Sequence, residues 1–161
     1  VCLLRDRANT LWVGTFGGLY HLTSQGPIQY RNKDGLTSDR IGALCEDREG
    51  NLWIGTDGGG VNRMVQGTIT VLTEKQGFPN NAIKTILEDR EGTLWVGTYR
   101  GGLVQLQNPK CLLFSTKEGL NSKVAWQVFA EPTSSCLLKK APRWHSSEER
   151  FKWKTPPKKV S

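Results

Sequence analysis

The 161-residue chain has little of what would identify a membrane protein, a helical protein or a metalloprotein. No stretch approaches the ~20 apolar residues of a membrane helix. The N-terminus lacks a basic segment, an apolar segment and a cleavage site, so we expect no export signal in it. No segment combines a 3.6-residue apolar period with the length of a helix. We therefore expect a β protein, and we predict neither a cofactor nor a metal site.

Cysteine is scarce and irregularly spaced. None of the four cysteines forms a metal-like CxxC pair; they are Cys2, Cys45, Cys111 and Cys136. Cys45 aligns with Leu4 and Leu87 in neighbouring copies of a repeat described below, which favours a small buried apolar residue over a disulfide partner. The cysteines do not indicate whether the protein lies in an oxidising or a reducing compartment.

Excess positive charge is missing from most of the chain, although the total is +7. Residues 1–131 carry a net charge of +1, and residues 132–161 carry +6. The high pI therefore gives no reason to expect nucleic acid as a partner of the larger segment.

A 42-residue repeat dominates the sequence. Trp12, Trp53 and Trp95 are 41 and 42 residues apart, each within an LWxGT segment. A second landmark recurs every 42 residues, at Gly35-Leu36, Gly77-Phe78 and Gly119-Leu120. Because self-similarity at this period is typical of repeat architectures, the repeat decides the fold class.

Each unit is predicted to contain four short strands. In the second copy these are Ile41–Glu46, Leu52–Gly55, Val61–Met64 and Thr70–Thr73, and the third copy offers Ile83–Glu88. A turn at 47–50 and a hairpin turn at Gln66-Gly67 separate them. A HEAT-type helical pair has the same period, but glycine-rich turns such as GTDGGG do not suit it.

The predicted fold is all-β, a partial β-propeller of about three four-stranded blades plus a stub of a fourth. The repeats lie near 1–37, 38–79 and 80–121, and the stub covers 122–131. Residues 132–161 form a basic non-repeat tail without glycine, which a shift of reading frame or a genuine disordered tail would both explain. Open blade edges and faces predict self-association.

Two segments, DREGNLWIGTDGGGVNRM and DREGTLWVGTYRGGLVQL, resemble the two-component regulator propeller repeat, as does the linking segment GLTSDRIGALCED. The resemblance covers about residues 1–131. It implies that the chain is part of the periplasmic sensor region of a longer parent protein, a bacterial hybrid histidine kinase. A diguanylate cyclase or a transcriptional regulator is the alternative parent protein. The resemblance also implies carbohydrate or another small extracellular ligand, and the remaining blades of a longer parent as partners. Kinase motifs are missing from this sequence, so no kinase activity is expected of it.

Positions that recur in every copy are interpreted as structural. The Asp-x-x-Gly turns suggest calcium or catalysis, but an aspartate that caps its own turn explains the recurrence better. The tryptophans could stack on sugars, but their mid-strand position favours packing between blades. The structural set is Trp12, Trp53, Trp95, Asp47, Gly50, Asp89 and Gly92.

Positions at which the copies differ are the candidates for recognition. The turn after Gly-Thr holds Phe16, Asp57, or Tyr99 with Arg100, and changing loops on a rigid scaffold commonly carry specificity. Tolerant surface loops are the alternative interpretation. A propeller lyase or glycosidase would need clustered acid, base or nucleophile groups, and His21 has no evident partner in the sequence. No catalytic residue is predicted, and a protein-interaction scaffold stays open.

Overall fold

The computed structural model describes residues 1–74, 77–78, 82–107, 110–118, 125, 127–130 and 136–139. They form three four-stranded antiparallel sheets and a two-stranded hairpin. The first sheet comprises β1 (Cys2–Arg5), β2 (Leu11–Thr15), β3 (Gly18–Thr23) and β4 (Gly26–Tyr30). The second comprises β5 (Ile41–Glu46), β6 (Leu52–Thr56), β7 (Gly60–Val65) and β8 (Thr68–Leu72). The third comprises β9 (Ile83–Glu88), β10 (Leu94–Thr98), β11 (Gly102–Gln107) and β12 (Lys110–Phe114), and the hairpin comprises β13 (Gln127–Ala130) and β14 (Cys136–Lys139).

The sheets confirm the predicted fold class and both bounds of two of the five predicted strands, and β6 and β7 each extend one residue further than predicted at one or both ends. β5 and β9 begin and end as expected, whereas β8 begins at Thr68 and ends at Leu72 instead of covering Thr70–Thr73. The hairpin turn lies at Gln66 and Gly67, with φ of 48° and 81°. Positive φ at both central residues matches the right-handed twist of the strands that the turn joins. In each sheet neighbouring strands are consecutive in sequence, as in a propeller blade.

The blades pack face to face, with the first strand of each blade against the first strand of the next. Between blades 1 and 2, Trp12 and Leu19 pack with Ile54, which is fully buried. The corresponding core between blades 2 and 3 contains Trp53 and Val96. The apolar residue of the second landmark fills these same cores: Leu36 joins the first and Phe78 the second, each 2% exposed.

The hairpin β13–β14 begins where a fourth blade would begin. Val128 is buried against Leu103 and Phe114, so the first strand of the hairpin covers part of the free face of blade 3. β14 pairs with β13 over its full length and lies within the segment predicted to be a non-repeat tail. The remainder of 132–161 is outside the described residues.

Blade 1 has an outward face, which is the face opposite to the one that packs on blade 2. Within the described residues this face is exposed. Leu3 is 66% exposed, whereas Ile86, at the same position of blade 3, is 7% exposed. Leu22 is 40% exposed, whereas its equivalent in blade 2, Met64, is 6% exposed. The repeat therefore places core-type residues on a face that no described blade covers.

Candidate functional site

One end of each blade carries the Asp turn that joins its first two strands. In blade 2 the Asp47 carboxylate accepts hydrogen bonds from the backbone N–H groups of Glu49 and Asn51, at 3.0 and 2.8 Å. It also accepts from Asn51 Nδ2 and, at 2.7 Å, from Trp53 Nε1. Gly50 ends this turn with φ of 81°. The carboxylate is thus occupied by the donors of its own turn and by the strand that follows.

The same arrangement recurs in the other two blades. Asp89 accepts from Trp95 Nε1 at 2.8 Å, and Gly92 has φ of 82°. Asp6 accepts from Trp12 Nε1 at 2.9 Å. Each tryptophan is therefore fixed at its ring nitrogen as well as by packing, a contact that the one-dimensional pattern did not predict.

Hydrogen bonds to these carboxylates affect their acidity. Burial by itself raises the pKa of Asp47, but donation from Asn51 and Trp53 outweighs it, and the pKa is lowered. The pKa of Asp6 is lowered in the same way, with Thr10 as the first of its donors. Both aspartates therefore stabilise the fold in their ionised form.

His21 has partners in the structure that the sequence did not reveal. Its ring stacks on Trp12, with centroids 3.9 Å apart and planes 2° from parallel. Its Nε2 lies 3.1 Å from the hydroxyl of Thr10, which donates to Asp6. The expectation that His21 lacks a partner is wrong, because cross-strand register places it directly opposite Trp12. The ring covers the tryptophan, a position that Arg63 takes over Trp53 in blade 2.

The arginines of the first two Asp turns join their blades to the next. Arg7 donates from a guanidinium nitrogen to the backbone carbonyl of Arg48 at 2.7 Å. Arg48 in turn donates to the carbonyls of Asp89 and Arg90 in blade 3. These contacts, which we call the arginine ladder, span 41 to 42 residues, and the sequence shows only that an arginine recurs.

The turns that differ between copies lie at the opposite end of the sheets. Phe16 is 75% exposed on the turn of blade 1. Asp57 of blade 2 forms a β-bridge with Ala82, which immediately precedes β9. Tyr99 of blade 3 donates its backbone N–H to the carbonyl of the same Ala82 at 2.8 Å. The fold thus brings two of the three variable turns together, and Phe16 takes no part in the described contacts that join them.

Lys84 completes this group and was not predicted from the sequence. It is the additional residue of a β-bulge in β9, because Ile83 pairs with Thr98 and Thr85 with Gly97. Its Nζ lies 3.8 Å from Asp57 Oδ1 and 5.5 Å from the centroid of the Tyr99 ring. The Arg100 guanidinium lies 5.0 Å from the same centroid. We call Asp57, Lys84, Tyr99 and Arg100 the blade 2–3 cluster.

Arg100 holds a backbone conformation that an L residue rarely adopts. Its φ is 69°, and the equivalent residue of blade 2 is Gly58, with φ of 90°. A left-handed conformation costs a residue with a Cβ about 1–2 kcal/mol. Blade 3 therefore places a guanidinium where glycine would be the unstrained choice.

Other kinds of site have no support in the part of the chain that is described. It contains no group of three or more His, Cys, Asp or Glu side chains that could hold a metal ion. Cys2, Cys45 and Cys111 are free, and burial raises the pKa of Cys45 to about 11, which suits an inert side chain. Among the described residues, no helix has the length and apolar character needed to cross a membrane.

Solved structures with the same architecture define the chain as part of a β-propeller. The extracellular domain of a hybrid two component system of B. thetaiotaomicron matches 86% of this chain with a TM-score of 0.78 and 25% identity. The extracellular domain of a one component system of the same organism matches 94%, with a TM-score of 0.72 and 18% identity. Virginiamycin B lyase from Staphylococcus aureus matches 97%, with a TM-score of 0.67 and 13% identity.

Two segments of the repeat have a narrower match. Residues 35–58 and 77–100 match the two component regulator propeller family, so the chain carries repeats of that family. No curated protein matches the chain significantly. The chain spans 20% and 23% of the two B. thetaiotaomicron structures, and 56% of the lyase.

Proposed function

We propose that this chain is a non-catalytic ligand-recognition part of the periplasmic sensor region of a bacterial two-component signalling protein, whose parent is a hybrid histidine kinase. The observation that carries the proposal is the pair of regulator-propeller repeats, together with the likeness to the extracellular domain of a hybrid two component system. The blade 2–3 cluster supplies charged and aromatic groups on two turns and at the bulge of β9, where the scaffold itself does not require them.

The described chemistry supports recognition rather than catalysis. The recurrent carboxylates of Asp6, Asp47 and Asp89 each accept several donors of their own turn. The one described histidine stacks on Trp12, and the Thr10 hydroxyl beside its Nε2 donates to the Asp6 carboxylate of the turn. The likeness to the lyase, at 13% identity, supports the fold alone.

A further blade of the same repeat is the partner we propose for the outward face of blade 1. The equivalent face of blade 2 is covered by Trp12 and Leu19 of blade 1, and Leu3 and Leu22 stand at positions that are otherwise packed. The backbone carbonyl of Arg7 corresponds to that of Arg48, which accepts from the preceding blade. An arginine of a preceding Asp turn would extend the ladder to it.

Two experiments test these proposals. Sequencing the DNA on both sides of the coding segment should find further LWxGT repeats, a membrane helix and a kinase. A stop codon without such a continuation would contradict the proposed parent. Thermal-shift titration of the full chain with neutral sugars and organic acids should find a saturable ligand whose effect Tyr99→Ala abolishes; the absence of any such ligand would contradict recognition.

A further inference from the structure

Two cations converge on one aromatic ring in the blade 2–3 cluster. Lys84 and Arg100 lie 5.5 and 5.0 Å from the centroid of the Tyr99 ring, within the range of a cation–π interaction. The ring therefore orients the two cationic groups. Tyr99 thus acts here as a support for the cations, which differs from the sugar-stacking surface that its residue type suggests.

The scaffold does not require either cation. Blade 2 forms the same turn and the same bulge with glycine at both positions, Gly58 in place of Arg100 and Gly42 in place of Lys84. Arg100 carries the cost of its left-handed backbone. Strain of this kind persists where the surrounding structure enforces it and is concentrated at functional sites.

The acidic member of the cluster holds Lys84 only weakly. Asp57 Oδ1 and Lys84 Nζ are 3.8 Å apart, and their side chains are 38% and 23% exposed. An ion pair of this length in partial contact with water contributes ~1 kcal/mol or less. A ligand with its own anionic group can therefore replace Asp57 as the partner of Lys84.

We propose that the blade 2–3 cluster is a subsite for an oxyanion group, a carboxylate or a sulfate or phosphate, on a small ligand. Lys84 supplies an ammonium donor and Arg100 a planar guanidinium that can bind two oxygens at once. Tyr99 holds both in position, and Asp57 leaves Lys84 when the ligand binds. The inference rests on the recognition function proposed above and adds the class of ligand.

The test is an NMR titration of the full chain, in which backbone amide shifts are followed during addition of sodium sulfate. Sodium phosphate and sodium acetate form separate arms, and sodium chloride at equal ionic strength corrects for general salt effects. We expect saturable shifts at Lys84, Tyr99 and Arg100, and none at Gly17 on the equivalent turn of blade 1. Shifts that do not saturate, or that chloride reproduces, would overturn the subsite.

Matched variants identify the donors. Lys84→Met and Arg100→Asn each remove one cation, and asparagine tolerates the left-handed backbone. Each should weaken binding about tenfold or more, because a hydrogen bond to a charged group is lost. Lys84→Arg should retain binding, and so should Lys33→Ala, a control in the exposed 3₁₀ helix Asn32–Asp34. The dispersion of the same spectra shows whether each variant is folded.

The outcomes separate this inference from the function on which it rests. Saturable binding of a neutral sugar with no response to the three oxyanions would retain recognition and refute the oxyanion subsite. Oxyanion binding that survives both Lys84→Met and Arg100→Asn would also refute it, because the donors would lie elsewhere. If Lys84→Met does not fold, Lys84→Gly copies the residue that blade 2 already carries at its bulge.

Discussion

Removing the carboxylate of Asp47 should expose how much each blade depends on its Asp turn. In Asp47→Ala the backbone N–H of Asn51 and the Nε1–H of Trp53 lose their acceptor, and both hydrogen bonds are buried. A buried donor without a partner costs about 1–3 kcal/mol. Two of them give a loss of about 3 kcal/mol, or roughly 10 °C in Tm for a domain of this size.

Urea unfolding followed by circular dichroism measures this loss, with tryptophan fluorescence as a second probe of the same transition. Glu49→Ala is the matched control in the same turn, because its side chain is 77% exposed and accepts only from the side chains of Arg63 and Asn51 among the described contacts. We expect the control to cost less than about 1 kcal/mol. A cost for Asp47→Ala no larger than that of the control would refute the assigned role of the carboxylate.

The same carboxylate should also make stability depend on pH. Because the pKa of Asp47 is lower in the folded chain than in the unfolded one, its ionisation stabilises the fold above about pH 4. This contribution is lost as the pH falls through the lowered value. The stability difference between the wild type and Asp47→Asn should therefore be constant at neutral pH and shrink in acid. A difference that stays constant to pH 2 would contradict the argument.

Three further perturbations test the contacts between blades. Arg48→Ala removes the ladder contacts to blade 3 and should lower the free energy of unfolding by about 1 kcal/mol, measured in urea. Gly55→Ala would bring its Cβ within 2.5 Å of the side chain of Ile83, so calorimetry should show a loss of about 1–3 kcal/mol. The double variant Leu3→Glu/Leu22→Glu should reduce self-association in sedimentation velocity without loss of stability, because both side chains are on an exposed face.

Each of these has an outcome that would contradict it. An unchanged midpoint of urea unfolding in Arg48→Ala would mean that the arginine ladder does not stabilise the fold and that apolar packing alone holds the blades together. Gly58→Ala serves as the control for Gly55→Ala, because its added Cβ meets nothing within 4 Å and only its positive φ is strained. Equal losses in the two glycine variants would refute the role of close packing. If the double variant Leu3→Glu/Leu22→Glu sediments as the wild type does, the self-associating surface lies elsewhere.

The fold could be predicted from the sequence because it repeats. Three copies of Trp-x-Gly-Thr place the second strand of every blade, and positive φ at Gly50 and Gly92 marks the turn before it. In blade 1 asparagine replaces this glycine, and Asn9 keeps the positive φ of the turn, at 63°. Local pattern and local conformation agree at these positions, so the pattern was sufficient.

The site was harder to predict because it depends on contacts between blades. Comparison of the copies indicated Asp57, Tyr99 and Arg100, but gave no reason to separate them from Phe16. Lys84 was missed because its position follows from a bulge, and a bulge is a feature of strand register that residue types do not reveal. The partner of His21 also follows from strand register, and the partners of the turn arginines lie on the turn of the next blade, 41 to 42 residues away.

The arginine ladder has a consequence for how such a chain can evolve. Each guanidinium binds main-chain carbonyls of the next turn, and every chain that forms this turn presents them whatever its side chains are. A duplicated or exchanged blade thus meets its neighbour with this contact already in place. Blades can therefore be gained and reshuffled as units, while their outer turns diverge toward new ligands.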